Sequence, residues 1–152
     1  HYDTKAVVEE FIDGRELECS VLGNDDPVAS VPGEVMPSHE FYDYEAKYLD
    51  EHGAVLEIPA RLAPSKAGEL SALAVRAFKV LCCSGMARVD LFLRPDGRLL
   101  VNEINTIPGF TRISMYPKLW EASGVPYPEL VDRLIRLAIE RNGQERGLLT
   151  TV

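Results

Sequence analysis

Four polar residues in the second half of the chain have the chemistry to bind a metal ion and phosphate: Arg88, Asp90, Glu103 and Asn105. They flank a Pro-Asp-Gly sequence at 95–97, which is typical of a β-hairpin turn. If the turn consists of the Asp-Gly pair alone, Asp90 lies opposite Glu103 and Arg88 lies opposite Asn105. Because side chains alternate along a strand, we expect all four on one face of the hairpin.

The same register predicts the other face of the hairpin. It pairs Val89 with Ile104 and Leu93 with Leu100, which are apolar and therefore expected in the core. A bulge beside Gly97 would displace one strand by a residue and change the pairs. The predicted polar face depends on the same assumption about the turn.

Two carboxylates directly opposite each other destabilise a hairpin by roughly a few tenths of a kcal/mol or more. A divalent cation between Asp90 and Glu103 would offset that repulsion. Ligands that offer only oxygen favour magnesium, which takes few protein ligands and completes its shell with water and phosphate oxygens. The alternative is that both acids pair with Arg88, Arg94 or Arg98 on a solvated face.

Composition limits the classes of function. The chain has 152 residues, a net charge of −8 and a pI near 4.9. An acidic surface argues against nucleic acid or an anionic membrane as the main partner, but a local metal and arginine can still bind ATP. Three cysteines without a CxxC pair predict neither a disulfide framework nor zinc, so we expect a reducing cytoplasm. The start lacks a signal-peptide core and suggests a piece of a longer protein.

The pattern of the chain predicts an α+β fold with an antiparallel sheet. We expect strands over 6–12, 16–22, 28–31 and 55–58, besides the two of the hairpin, and helices over 70–81, 117–122 and 128–142. The first two strands would form a hairpin about Asp13-Gly14. Ser65 is the expected N-cap of the first helix and Gly85 its stop. Residues 34–57 lack periodicity and predict a long binding loop.

Three sequence stretches carry a family resemblance. RVDLFL…LLVNEINTIPGFT, FYDYEAKY and VVEEFIDGRE resemble the D-alanine–D-alanine ligases of the ATP-grasp superfamily, from about Val7 to Ala138. The resemblance implies that 1–152 is the C-terminal portion of an ATP-grasp domain, with an antiparallel sheet flanked by helices. It further implies a mobile active-site loop at 37–57, a tail at 144–152, and a substrate domain that is absent from this chain.

The resemblance assigns roles to the hairpin residues. Asp90, Glu103 and Asn105 would ligate two Mg²⁺ (or Mn²⁺) ions that bridge the phosphates of ATP. Arg88 would stabilise the charge that develops on the phosphoryl group and on the tetrahedral intermediate.

The resemblance also implies a nucleotide site near the start of the chain. Glu9, Glu10 and Ile12 match the stretch that lies along the adenine, and Glu16 matches the carboxylate that binds the ribose hydroxyls. Glu10 stands where some relatives have lysine, but a backbone contact tolerates that change. Without the resemblance, the three glutamates would be interpreted as solvated strand residues.

Substrate handling is implied for five further residues. Lys47 and Tyr48 lie on the loop that would close over the site, the lysine toward phosphate and the tyrosine toward the second substrate. Gly109 and Ser114, with Met115 beside them, match positions that handle the D-alanine carboxyl groups. Taken alone, the tyrosines of this loop are more readily explained by loop packing than by substrate binding.

The implied reaction joins two D-alanine molecules with ATP, through an acyl phosphate, for peptidoglycan synthesis in a bacterial cytoplasm. The full-length protein would be a homodimer, and the isolated fragment inactive. An alternative is a relative that joins D-alanine to D-lactate, although Lys47-Tyr48 within FYDYEAKY favours the dipeptide. Two alternatives from other classes are a non-catalytic Mg-nucleotide-binding module and an acidic interaction domain.

Overall fold

A computed structural model describes residues 4–37 and 54–148 of the chain. Six strands and three helices follow one another in these ranges, which confirms the α+β class. The strands are β1 (Arg15–Gly23), β2 (Val28–Ala29), β3 (Gly33–Pro37), β4 (Ala54–Glu57), β5 (Gly85–Leu93) and β6 (Leu99–Asn105). The helices are α1 (Pro64–Val80), α2 (Met115–Ala122) and α3 (Tyr127–Arg146).

The sheet has the order β4-β3-β1-β5-β6, with β2 paired to β1, and every pair is antiparallel. The long strands β1 and β5 pair along their whole length, from Arg15 opposite Leu93 to Gly23 opposite Gly85. Strand β1 therefore lies at the centre of the sheet. Its backbone is hydrogen-bonded to a neighbouring strand on each side.

One face of the sheet packs against α1. The alternating residues Leu17, Cys19 and Val21 of β1 point to this face, as do Ala87, Val89 and Leu91 of β5. Helix α1 contributes a stripe at intervals of four residues, Leu70, Ala74 and Phe78, all fully buried. Each large apolar side chain buried in this way stabilises the fold by about 1.5–3 kcal/mol.

Helices α2 and α3 cover only part of the opposite face. Tyr116 and Trp120 of α2 pack with Leu130 of α3 on Leu22. The Tyr116 hydroxyl donates a hydrogen bond of 3.0 Å to the carbonyl oxygen of Val21. These contacts fix α2 over the Leu22 end of β1, where the buried Ser20 hydroxyl also donates to the carbonyl oxygen of Tyr116.

The hairpin of β5 and β6 has a different turn from the one predicted. Arg94 N donates to Arg98 O at 3.0 Å, and Gly97 has a φ of 82°, so the connecting loop contains three residues. Leu93 accordingly pairs with Leu99, and the predicted Leu93–Leu100 pair is wrong. A second shift of register follows beside Asp90, because Asn102 has no partner on β5.

The beginning of the chain also differs from the prediction. Residues 5–14 contain no strand, so the expected strand at 6–12 and its hairpin with 16–22 are wrong. Val7, Val8 and Phe11 are more than four-fifths exposed. A run of β-prone residues pairs only where a neighbouring edge is available, and β1 instead pairs with β3 and β5.

Smaller differences concern the element ends. Strand β3 occupies 33–37, so the aperiodic loop begins later than residue 34, and 38–53 lie outside the described residues. Helix α1 begins at Pro64 after Ala63, and Ser65 is not its N-cap. Helix α3 continues to Arg146, so the expected tail begins later than residue 144. Within 4–37 and 54–148, no helix has the length and apolar character needed to cross a membrane.

Candidate functional site

Three acidic side chains lie in a row across three adjacent strands. Asp90 on β5 is directly opposite Glu103 on β6, as predicted, and directly opposite Glu18 on β1. Directly opposite residues of antiparallel strands share a face, so the three carboxylates are neighbours on the face that α2 covers in part. We call Glu18, Asp90 and Glu103 the acidic row.

Arg88 binds two members of the acidic row. Its Nε donates to Asp90 Oδ1 and its Nη2 donates to Asp90 Oδ2, both at 2.7 Å. Its Nε also lies 3.0 Å from Oε2 of Glu18. Burial alone would lower the pKa of Arg88, but the hydrogen bonds to Asp90 and the charges of Glu18, Asp90 and Glu103 raise it above its ordinary value. The guanidinium is therefore a fixed positive charge.

The acidic row carries more negative charge than Arg88 neutralises. The side chains of Glu18, Asp90 and Arg88 are only 11%, 13% and 14% exposed, whereas Glu103 is exposed. In so shielded a place an additional cation would be attracted, and the donors are oxygens, as magnesium requires. In the described ranges, no group of three or more His, Cys, Asp or Glu side chains is arranged to hold a metal by itself. Phosphate oxygens and Asn105 would have to complete a shell.

Asn105 lies at the end of β6, directly opposite Arg88 as predicted. Its Oδ1 accepts a hydrogen bond of 3.0 Å from the backbone N–H of Ile107. This bond fixes the amide at the point where the strand gives way to the next loop. A carbonyl oxygen has a second lone pair, so Asn105 can still ligate a cation.

The four residues predicted for the nucleotide line one cleft. Glu9, Glu10, Ile12 and Glu16 surround a volume of about 420 Å³ together with Phe92 and Leu100. This cleft combines apolar walls with carboxylates, which suits an aromatic base and its ribose. The structure thus brings together residues that the sequence separates by more than 70 positions.

This cleft, called the nucleotide cleft after its predicted ligand, continues into the acidic row. A second cleft of about 260 Å³ is lined by Glu18, Asp90 and Glu103. Glu16 and Asn102 line both clefts. Asn102 is the residue left without a partner at the bulge, so the bulge lies at the junction of the two clefts.

Gly109 and Ser114 also lie together, in the loop between β6 and α2. Thr111 N donates to Ser114 Oγ at 3.0 Å, and the two hydroxyl oxygens are 2.8 Å apart. A Cβ added to Gly109 would lie 3.0 Å from Ser114 Oγ. Met115 begins α2 and is buried against Val35 and Leu119. Lys47 and Tyr48 lie outside the described residues, so their predicted roles stay predictions.

Sequence reasoning missed Glu18. The alternation in Glu16-Leu17-Glu18-Cys19 does place Glu16 and Glu18 on one face of a strand. The residue that lies beside Glu18 could not be predicted from this pattern, because the strand 16–22 was expected to pair with 6–12. Only the pairing of β1 with β5 brings Glu18 to Arg88.

Comparison with known proteins identifies the family of the chain. The family model described as "D-ala D-ala ligase C-terminus" matches residues 1–136. The D-alanine–D-alanine ligase of Oceanobacillus iheyensis is 59% identical over 147 residues, which cover 97% of this chain and 40% of that protein. The chain therefore spans about two fifths of the length of that curated relative.

Solved structures show the same fold. The D-alanine–D-alanine ligase from Coxiella burnetii superimposes with a TM-score of 0.79 at 49% identity, over 91% of this chain and 35% of that one. The Bacillus anthracis D-alanine–D-alanine ligase, solved in complex with ATP, gives 0.74 at 27% identity, over 90% of this chain and 42% of that one.

Proposed function

Because the chain belongs to the family of D-alanine–D-alanine ligase C-terminal regions, we propose that it forms the nucleotide- and phosphate-binding part of an ATP-dependent ligase. The ligase joins two D-alanine molecules to give D-alanyl-D-alanine, ADP and phosphate, for peptidoglycan synthesis in the cytoplasm. The observation that carries this proposal is the continuity of the nucleotide cleft with the acidic row through Glu16 and Asn102.

The residues present fit magnesium. Asp90, Glu103 and Asn105 would hold two Mg²⁺ (or Mn²⁺) ions, with ATP phosphate oxygens and water completing their shells. When bound, the ions neutralise charge that accumulates on phosphate oxygens. The directly opposed carboxylates of Asp90 and Glu103 support this assignment, since Arg88 neutralises only part of the acidic row.

The reaction has two steps. The carboxylate of the first D-alanine attacks the γ-phosphorus of ATP, the bond to the β-phosphate oxygen breaks, and ADP leaves behind an acyl phosphate. The amine of the second D-alanine then attacks the acyl carbon, loses a proton, and expels phosphate. Both steps concentrate negative charge on oxygens, which the fixed positive charge of Arg88 stabilises in a shielded site.

The remaining roles concern binding and protection. Glu9, Glu10 and Ile12 lie along the adenine, and Glu16 binds the ribose hydroxyls. Gly109 and Ser114 bind the D-alanine carboxylates. Glycine lets the backbone approach a carboxylate closely, and the serine hydroxyl can donate a hydrogen bond to it. We assign Lys47 to the phosphate and Tyr48 to the second substrate, where both would help to exclude the water that would hydrolyse the acyl phosphate.

The proposal is tested on the full-length protein that carries this chain. The intact mass of the expressed protein first shows whether residues beyond the 152 exist. ADP release is then measured with ATP, Mg²⁺ and D-alanine near neutral pH, and the dipeptide is identified by mass spectrometry. No D-alanine-dependent ADP release would overturn the proposal. Preferential formation of D-alanyl-D-lactate, when both acceptors are supplied, would overturn the choice of substrate.

A binding experiment separates the ligase from a non-catalytic module. The full-length protein is titrated with Mg-ADP, and the same titration is repeated with an Asp90→Ala, Glu103→Ala double variant. We expect binding in the wild type and loss of binding in the variant. Binding without any turnover on D-alanine would favour the module.

A further inference from the structure

Glu18 is a buried carboxylate to which the proposed reaction gives no task. It lies at the centre of the sheet on β1, only 8% exposed, directly opposite Asp90. Its Oε2 is 3.0 Å from Nε of Arg88. Burying a third carboxylate beside Asp90 and Glu103 costs free energy, because like charges in a shielded place repel. Its contact with Arg88 offsets part of that cost.

Asp90 holds the Arg88 guanidinium by hydrogen bonds to two of its nitrogens. Nε and Nη2 both donate to the Asp90 carboxylate. Under the proposed function, Asp90 also binds a cation, and a carboxylate shared with a cation is a weaker acceptor for the guanidinium. Arg88 then needs a second anionic partner to keep its position.

We propose that Glu18 is a positioning residue that holds the Arg88 guanidinium in place while Asp90 serves the metal ion. This role rests on the proposed function. Strand β1 pairs with neighbours on both sides, so Glu18 approaches Arg88 from a rigid element. The residue directly opposite Arg88 is Ser20, whose hydroxyl donates to the carbonyl oxygen of Tyr116. On β1, Glu18 is therefore the residue that supplies a negative charge to Arg88.

The chain contains a matched control on the other face of the sheet. Glu34 of β3 is 7% exposed and accepts hydrogen bonds from Arg15 at 2.7 and 2.5 Å. It lies directly opposite Leu17, whose side chain belongs to the core beneath α1. Glu34 and Glu18 thus share burial and an arginine partner, but only Glu18 lies beside Asp90.

The test uses the full-length enzyme with Glu18→Gln, Glu18→Asp and Glu34→Gln. Loss of one charge-assisted contact to Arg88 is expected to lower kcat about tenfold in Glu18→Gln. The KM values for ATP and D-alanine, and the calorimetric Kd for Mg-ADP, are expected to stay within about twofold. Glu18→Asp keeps the charge and recovers most of kcat. Glu34→Gln lowers Tm and leaves kcat unchanged.

A double-variant cycle connects Glu18 to Arg88. In an Arg88→Lys background, Glu18→Gln is expected to change kcat by less than about twofold, because residues that act through each other are not additive. The same double-variant cycle, with Tm measured in EDTA, gives a coupling between Glu18 and Arg88 in stability, which does not depend on turnover. Glu18→Gln with wild-type kcat, a large rise in the Kd for Mg-ADP, or losses that multiply in the double variant would overturn the role. A wild-type enzyme that makes no dipeptide would overturn the proposed function first.

Discussion

Asp90 lies directly opposite Glu103 because two irregularities in the hairpin cancel. The three-residue loop closed by Arg94 and Arg98 shifts β6 by one residue relative to a two-residue turn. The unpaired Asn102 shifts it back, and from there onward the pairs are those of the simple hairpin. The bulge therefore does more than correct the register, since Asn102 also lies where the nucleotide cleft meets the acidic row.

Neutralising Glu103 is expected to have opposite effects with and without metal. In EDTA, Glu103→Gln removes repulsion across the pair with Asp90 and raises the free energy of unfolding by about a few tenths of a kcal/mol. With MgCl₂ and ADP, the wild type gains stability by ligand binding and the variant loses most of that gain. Urea denaturation under both conditions measures the two effects.

The control for this experiment is Asp132→Asn on α3, which removes an exposed carboxylate 2.9 Å from Arg136. It should change stability only slightly and equally in both conditions. Equal Mg-ADP stabilisation of the wild type and Glu103→Gln would contradict the proposal that Glu103 binds the metal.

Much of the site was predictable from local pattern. Alternation places Arg88 with Asp90 and Glu103 with Asn105 whatever surrounds the hairpin, and the structure confirms their pairing. The loop length and the bulge were not predictable, since neither a three-residue loop nor an unpaired Asn102 changes the polar–apolar pattern in a unique way. The predicted pairs Asp90–Glu103 and Arg88–Asn105 were right because the two shifts cancel.

Long-range pairing was the part that sequence could not supply. The β-prone run at 6–12 lies next to β1 along the chain, and consecutive strands usually pair, so a hairpin was expected. In the fold, β1 takes β3 and β5 as neighbours, and Glu18 reaches Arg88 over a separation of 70 positions. No periodicity within either strand encodes that choice of partner.

Helix α2 approaches β3 closely at Gly33. A Cβ there would lie 2.8 Å from Leu119 Cδ2 and 3.1 Å from Met115 Sδ. Gly33→Ala is therefore expected to destabilise the protein by about 1–3 kcal/mol through overpacking. Gly68→Ala, inside α1 with nothing within 4 Å, should stabilise it by about 0.5–1 kcal/mol. Thermal or urea unfolding distinguishes the two, and equal effects would contradict the packing of α2 on β3.

Cys19 makes stability depend on pH in the alkaline range. Burial raises the pKa of its thiol from an ordinary 9.0 to about 11. Below pH 9 the thiol is protonated in both states, whereas above it the unfolded chain ionises first and is favoured. Stability should thus fall by about 2–3 kcal/mol between pH 9 and 11, at 1.36 kcal/mol per pKa unit.

The contribution of Cys19 is isolated by difference. Other groups titrate in the same range, so urea denaturation is compared between the wild type, Cys19→Ala and Cys82→Ala at pH 8 and pH 11. Cys19→Ala should lack the fall assigned to the thiol, while the exposed Cys82 should make no such difference. Parallel pH profiles of stability for all three proteins would show that burial does not raise the pKa of the Cys19 thiol.

Gly109 and Ser114 give the last prediction, on the substrate side of the proposed ligase. A Cβ at Gly109 would meet Ser114 Oγ at 3.0 Å, so Gly109→Ala must displace the hydroxyl that accepts from Thr111 N. Misplacing a substrate-binding group is expected to raise the KM for D-alanine roughly threefold to tenfold, with the KM for ATP unchanged. Gly143→Ala, with nothing within 4 Å on α3, is the matched control and should leave both constants unchanged. An unaltered KM for D-alanine in Gly109→Ala would remove this loop from the substrate site.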